Sequence, residues 1–258
     1  MKISVNIPTY KRAGALDTFR TFKAATYWVH ASEVAEYKEK NQGIKIRTLP
    51  DKLKKNVAAV RNFILRSELK NNDVTVMMDD DINHFGYWEK QKRIKIKTEA
   101  QMLGLIEKYS RVAKEWGVKL WGVNINSDKQ SYSEFTPFST LVYISASFSC
   151  FLKGNECFYD ERFSLKEDYD MAVQQLNKYR QVLRVNKIYY EKKSVEQIGG
   201  CSTYRSVDRE MEQIKLLQKK WGTAIIRVDR NDERSHNLRR RKKITDINPV
   251  IKVPIKGI

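Results

Sequence analysis

The stretch "VTVMMDDDIN" at residues 74–83 sets an apolar run directly against three aspartates. The "VTVMM" run has the make-up of a buried core strand. Asp79, Asp80 and Asp81 follow at its carboxyl end, where three adjacent carboxylates repel one another. In an α/β sheet, ligands bind outside the carboxyl ends of the strands. Alternate side chains of an extended segment point the same way, so Asp79 and Asp81 can converge while Asp80 turns aside. Two convergent carboxylates are hard oxygen ligands suited to Mg²⁺ or Mn²⁺, and a bound cation would remove the repulsion. The alternative is an acidic turn capping the next element.

Outward from this stretch, strand and helix alternate. A short apolar pattern through Ile3, Val5 and Ile7 breaks at Pro8. Residues 13–25 read as a helix, 26–31 as a strand, 32–41 as a short helix and 44–50 as a strand. Val57, Val60, Ile64 and Leu65 recur at helical spacing and mark a helix over 56–70. This alternation is that of a mostly parallel α/β sheet. Further on, 92–97, 120–126, 139–154 and 182–190 read as strands, and 98–116, 165–180 and 207–220 as helices. Residues 1–228 form one domain in this reading, with halves at 1–97 and 98–228. Residues 229–258 are a basic C-terminal segment.

Two more stretches carry chemistry. "KEDYD" places Glu167, Asp168 and Asp170 in the first turn of a helix. They either complement the helix dipole or supply a general base. "NVAAVRNFILRS" places Arg61 on the helix before the aspartate strand. It either meets a pyrophosphate or faces solvent.

The chain has 258 residues, 41% hydrophobic, with 49 Lys+Arg against 31 Asp+Glu, a formal +18. A core of real size is expected, and so is an anionic partner. Lys92, Arg93, Lys95 and Lys97 form one basic block, and Arg239, Arg240, Arg241, Lys242 and Lys243 another. Either block alone reads equally well as a solvated face. Tyr132, Phe135 and Phe138 are candidates to stack on an extruded base, with core packing as the alternative. Three cysteines without a C-x-x-C pair argue against a disulfide framework or a zinc site. No run is long enough to span a membrane and the start lacks signal-peptide shape, so a cytoplasmic protein is expected.

"VNIPTYKR", "AVRN", "MMDDD" and "KEDYD", in this order over about residues 1–180, resemble a GT-A-type glycosyltransferase. "DDDIN", "GGCSTYR" (199–205) and "SHNLRRRKK" (235–243) bring the chain closer to the phage-type TET-associated DNA glycosyltransferases. The resemblance implies a GT-A-type, Rossmann-like mixed sheet, mostly parallel and flanked by helices, with residues 1–228 a catalytic domain whose nucleotide-sugar donor half is 1–97 and acceptor half 98–228. It implies transfer from a nucleotide-sugar, a UDP-sugar, to a hydroxymethylated pyrimidine in DNA, in host cytoplasm if phage-encoded. Pro8, Thr9, Tyr10, Arg12 and Arg61 would hold the donor with Asp79 and Asp80. Asp79 and Asp81 would bind Mn²⁺ or Mg²⁺, with His236 a candidate third ligand. Asp168 would deprotonate the acceptor hydroxyl, Glu167 being the second choice, and the anomeric centre would invert. The rival readings are a transferase acting on a glycan or protein, a nucleotidyltransferase, and a nucleic-acid-binding module without catalysis.

Overall fold

The chain's first apolar runs become parallel strands in a computed structural model that describes residues 1–54, 56–125, 127–128, 132–192, 200, 204–228 and 247–253. They are β1 (Ile3–Pro8), β2 (Thr26–His30), β3 (Lys45–Leu49) and β4 (Val74–Met78). Their order is β3-β2-β1-β4, every neighbour parallel. Helices α1 (Asp17–Thr21), α2 (Val34–Lys40) and α3 (Val57–Glu68) make the connections. The chain builds outward from β1 to β3, then returns to set β4 on the other side of β1. The order therefore reverses between β1 and β4, which opens a crevice outside their carboxyl ends.

The sheet continues through β5 (Ile82–Glu89), β6 (Lys92–Lys95), β7 (Leu120–Asn124), β8 (Phe138–Ser139), β9 (Phe148–Leu152) and β10 (Leu183–Lys192). The full order is β3-β2-β1-β4-β9-β7-β10-β5-β6, with β8 also on β10. β9, β5 and β8 run against the other strands, so the sheet is mixed and mostly parallel. Helices α4 (Glu99–Glu115), α5 (Glu167–Tyr179) and α6 (Val207–Trp221) follow, and β11 (Ile226–Arg227) pairs with β12 (Val250–Ile251). Every residue of β4 is buried. Its Val76 and Met78 enter a core with Ile7, Trp121 and Phe148, and Met77 enters another with Trp28, Ile64 and Phe151. Such two-sided burial explains the unbroken apolar run.

Three expectations change. The helix expected over 13–25 shrinks to α1. Gly14, at φ 80°, turns the chain first, and Thr18 is spent on the acidic turn described below. The strand expected over 139–154 splits into β8 and β9, and the segment between lines the cavity. β5 was not legible: Asn83, His84 and Gly86 interrupt its apolar pattern, and its hairpin turn is Lys90-Gln91, both left-handed without glycine or asparagine. Gly86 is required there because a Cβ would fall 2.4 Å from the Tyr189 ring. Among the described residues, no helix is long and apolar enough to cross a membrane. Cys150 and Cys157 are buried and free, and Cys201 lies outside the described residues.

Candidate active site

Asp79, Asp80 and Asp81 form the tight turn between β4 and β5, at the crevice. Thr18 of α1 fastens the turn's backbone: its hydroxyl donates to Asp79 O at 2.7 Å and accepts from Ile82 N at 2.9 Å. Thr18 N donates to Asp80 O, and Asp79 N donates to Ser147 O. Within the turn the side chains go to different partners. Asp80 is buried and accepts from the Thr9 hydroxyl at 2.5 Å and from Arg12. Asp79 and Asp81 converge, and the ammonium of Lys192 stands 2.6 Å from Asp79 Oδ2 and 3.0 Å from Asp81 Oδ1.

Cations meet all three carboxylates. Arg61 donates to Asp79 Oδ1 at 2.7 Å and to Glu167 Oε1 at 2.9 Å. Arg12 reaches Asp81 Oδ2 at 3.4 Å. Burial pushes the Asp79 carboxyl up, but Lys192 and Arg61 outweigh it and hold it well below the usual carboxylate range. Asp80 goes the other way. Burial outweighs Arg12, Asp81 adds repulsion, and its pKa rises to about 6.

Glu167 and Asp168, which open α5, line the same cavity. Burial raises Glu167 to about 7, Arg61 opposing and Asp168 adding to the rise. Asp168 Oδ1 accepts from Tyr169 N at 2.9 Å, and Oδ2 accepts from the Tyr143 hydroxyl. Burial and Asp168 push the Tyr143 phenol far up, so it stays a donor. Tyr143 and Tyr169 stack with ring centroids 4.3 Å apart. Below them Lys166, 2% exposed, pairs with the fully buried Glu210 of α6 at 2.6 Å. Tyr169 donates to Asn248 Oδ1 at 3.2 Å, which brings the segment before β12 to the cavity wall.

Pro8, Thr9, Tyr10, Arg12, Arg61, Asp79, Asp80, Asp81, Glu167 and Asp168 all line this one cavity of about 860 Å³. Its size suits a nucleotide-sized ligand. Asn56, whose side chain caps α3, also lines it, so that helix's N-terminus faces the space. Arg61 does not face solvent as the ordinary reading of an amphipathic helix has it. It is 4% exposed and both guanidinium ends hold carboxylates. Likewise, the Thr9 hydroxyl is occupied by Asp80 and Tyr37.

Lys92, Arg93 and Lys95 are exposed on β6, outside the cavity lining. Arg93 donates to Ser127 Oγ at 3.0 Å, and Ser127 is a lining residue. Tyr132 stacks on Trp88 and Phe138 packs against Tyr109 and Trp116, which removes both as free stacking platforms. Phe135 is 95% exposed, away from the cavity lining. His236, Arg239, Arg240, Arg241, Lys242 and Lys243 lie outside the described residues. Sequence reasoning missed Lys192, Tyr143 and Asn248. No local pattern marks them, because each arrives by a long-range contact. Among the described residues, no group of three His, Cys, Asp or Glu side chains is placed to hold a metal ion.

No curated protein sequence matches the chain. A solved structure of S. aureus TarS 1-349 is similar at 12% identity and TM-score 0.46, over 73% of this chain and 60% of that one. A second, of S. aureus TarS, gives 14% and 0.48 over 85% of this chain and 39% of that one. A197 from STIV gives 11% and 0.41 over 77% and 89%. The chain thus spans less than two thirds of the TarS chains it resembles. Residues 3–200, well over half of the sequence, match the family described as TET-Associated Glycosyltransferase, and so the chain belongs to that family.

Proposed function

We propose that the chain moves a sugar from a UDP-sugar to a hydroxymethylated pyrimidine in DNA, with inversion. One observation carries this reading: a single cavity at the strand-order reversal is lined by both the acidic turn of β4 and the acidic start of α5. Pro8, Tyr10 and His30 form the side for the nucleotide base. The N-terminus of α3 faces the diphosphate, as helix N-termini favour anions. Arg61 positions Asp79 and Glu167 rather than gripping the donor.

The residues fit Mn²⁺ or Mg²⁺ in donor chemistry. Asp79 and Asp81 offer hard oxygens at one point, Asp79 Oδ2 and Asp81 Oδ1, where the cation already present is the Lys192 ammonium at 2.6 Å and 3.0 Å. Asp79 and Asp81 would hold the ion, with His236 the candidate third ligand. When bound, the ion supplies positive charge to the leaving diphosphate. Asp168 takes the acceptor hydroxyl's proton, oriented by Tyr143 and the Tyr169 amide, and Glu167 stands beside it. Lys92, Arg93 and Lys95, together with Arg239, Arg240, Arg241, Lys242 and Lys243, hold DNA phosphates without reading sequence. The acceptor base leaves the stack to reach the cavity.

The test incubates the protein with a panel of UDP-sugars, Mn²⁺ and DNA bearing hydroxymethylated pyrimidines, then weighs the digested nucleosides. A mass gain equal to one sugar is expected. UDP release without nucleoside gain would overturn the DNA acceptor and point to a glycan or protein.

A further inference from the structure

Lys192 ends β10, where pairing with β5 shifts register between Glu191 and Lys192. Such a bulge re-aims a side chain. Here the ammonium lands on the point where Asp79 and Asp81 converge, 2.6 Å and 3.0 Å from one oxygen of each. The remaining oxygens are taken, Asp79 Oδ1 by Arg61 and Asp81 Oδ2 by Arg12. A divalent cation held by both carboxylates needs the same two oxygens that Lys192 holds. Two cations a few ångströms apart repel, so ammonium and metal exclude each other. The three cations differ in freedom. The Arg61 side chain is 5% exposed and Arg12 11%, whereas Lys192 keeps 27% exposed toward the cavity. A flexible lysine stem can swing without dismantling a planar fork of hydrogen bonds.

We propose that Lys192 is an exchangeable counter-ion: it holds Asp79 and Asp81 together in the empty enzyme and yields that point to a divalent cation arriving with the donor. This rests on the metal reading above. The cation alone must evict the ammonium and binds weakly. With a nucleoside diphosphate present, the displaced ammonium gains a new anionic partner beside the same cavity. Metal and nucleotide then bind cooperatively, in the range of about 5–150-fold usual for coupled sites.

The experiment is Mn²⁺ binding to the full chain, read from the electron paramagnetic resonance of free Mn²⁺, with and without UDP. Wild type should bind Mn²⁺ weakly alone and at least about tenfold tighter with UDP. Lys192→Met and Lys192→Gln should bind Mn²⁺ alone about tenfold tighter than wild type and lose most of the UDP effect. Lys192→Arg should stay at or below the wild-type affinity. Unchanged or weaker Mn²⁺ binding in both neutral variants overturns the proposal, as does an absence of binding in every form. Melting curves verify folding, and Mn²⁺ should raise the melting temperature more in Lys192→Met than in wild type. No acceptor or sugar enters these measurements, so a failed transfer assay leaves their result standing.

Discussion

The two walls of the cavity solve the same electrostatic problem differently. On the β4 wall, three carboxylates meet Arg12, Arg61 and Lys192, and Asp79 is held ionised. On the α5 wall, Glu167 shares Arg61, while Asp168 is held by neutral donors, the Tyr143 hydroxyl and the Tyr169 amide. A wall neutralised by cations is built to receive another charged group. The difference is one of partners: cations hold the carboxylates of the β4 turn, and neutral donors orient Asp168. Under the proposed function the first face binds and the second reacts.

The largest expected effects test that division. Asp79→Asn or Asp81→Asn should reduce sugar transfer below detection with an unchanged circular dichroism spectrum. Asp168→Asn should lower transfer by about 10²–10⁴-fold, the usual contribution of a general base, with UDP binding by calorimetry intact. If Glu167→Gln shows the larger loss instead, the proton acceptor is Glu167. Arg61 joins both walls, so Arg61→Met should destabilise the protein by about 3–5 kcal/mol, as for a buried pair deprived of one partner. Urea titration measures it.

Much of the β4 wall is legible in sequence. The "VTVMM" run announces a buried strand, and Asp79 and Asp81 do meet at one point while Asp80 is held by Thr9, although a turn and not an extended segment places them. What stays hidden is the partner. Lys192 lies 113 positions from Asp79, and a lone lysine at a strand end is ordinary. Arg61 was equally misleading, because helical spacing cannot tell an arginine facing solvent from one facing a buried carboxylate. Tyr143 sits in a stretch that reads as continuous strand, and only the break between β8 and β9 turns it inward.

The smallest effects concern protons. The folded state holds a proton on Glu167 that the unfolded chain releases at an ordinary carboxylate pKa of about 4.3. The unfolded state therefore binds fewer protons between that value and about 7, and stability on this group falls as pH rises through the window. Glu167→Gln should flatten that decline in urea midpoints measured from pH 4.5 to 8. Tyr143→Phe removes one donor to Asp168, which should cost transfer roughly tenfold, in keeping with about 1.5–3 kcal/mol for a hydrogen bond to a charged group.

The guanidinium of Arg61 is shared between Asp79 and Glu167, with one nitrogen on each. Sharing makes the two carboxylates thermodynamic partners. Whatever draws Asp79 toward a ligand changes how strongly the same guanidinium favours ionised Glu167. Linkage then runs both ways: the factor by which a ligand on Asp79 alters the proton affinity of Glu167 must equal the factor by which a proton on Glu167 alters that ligand's affinity. One arginine on the helix before the aspartate strand thus ties whatever binds at the β4 turn to the protonation of the first turn of α5.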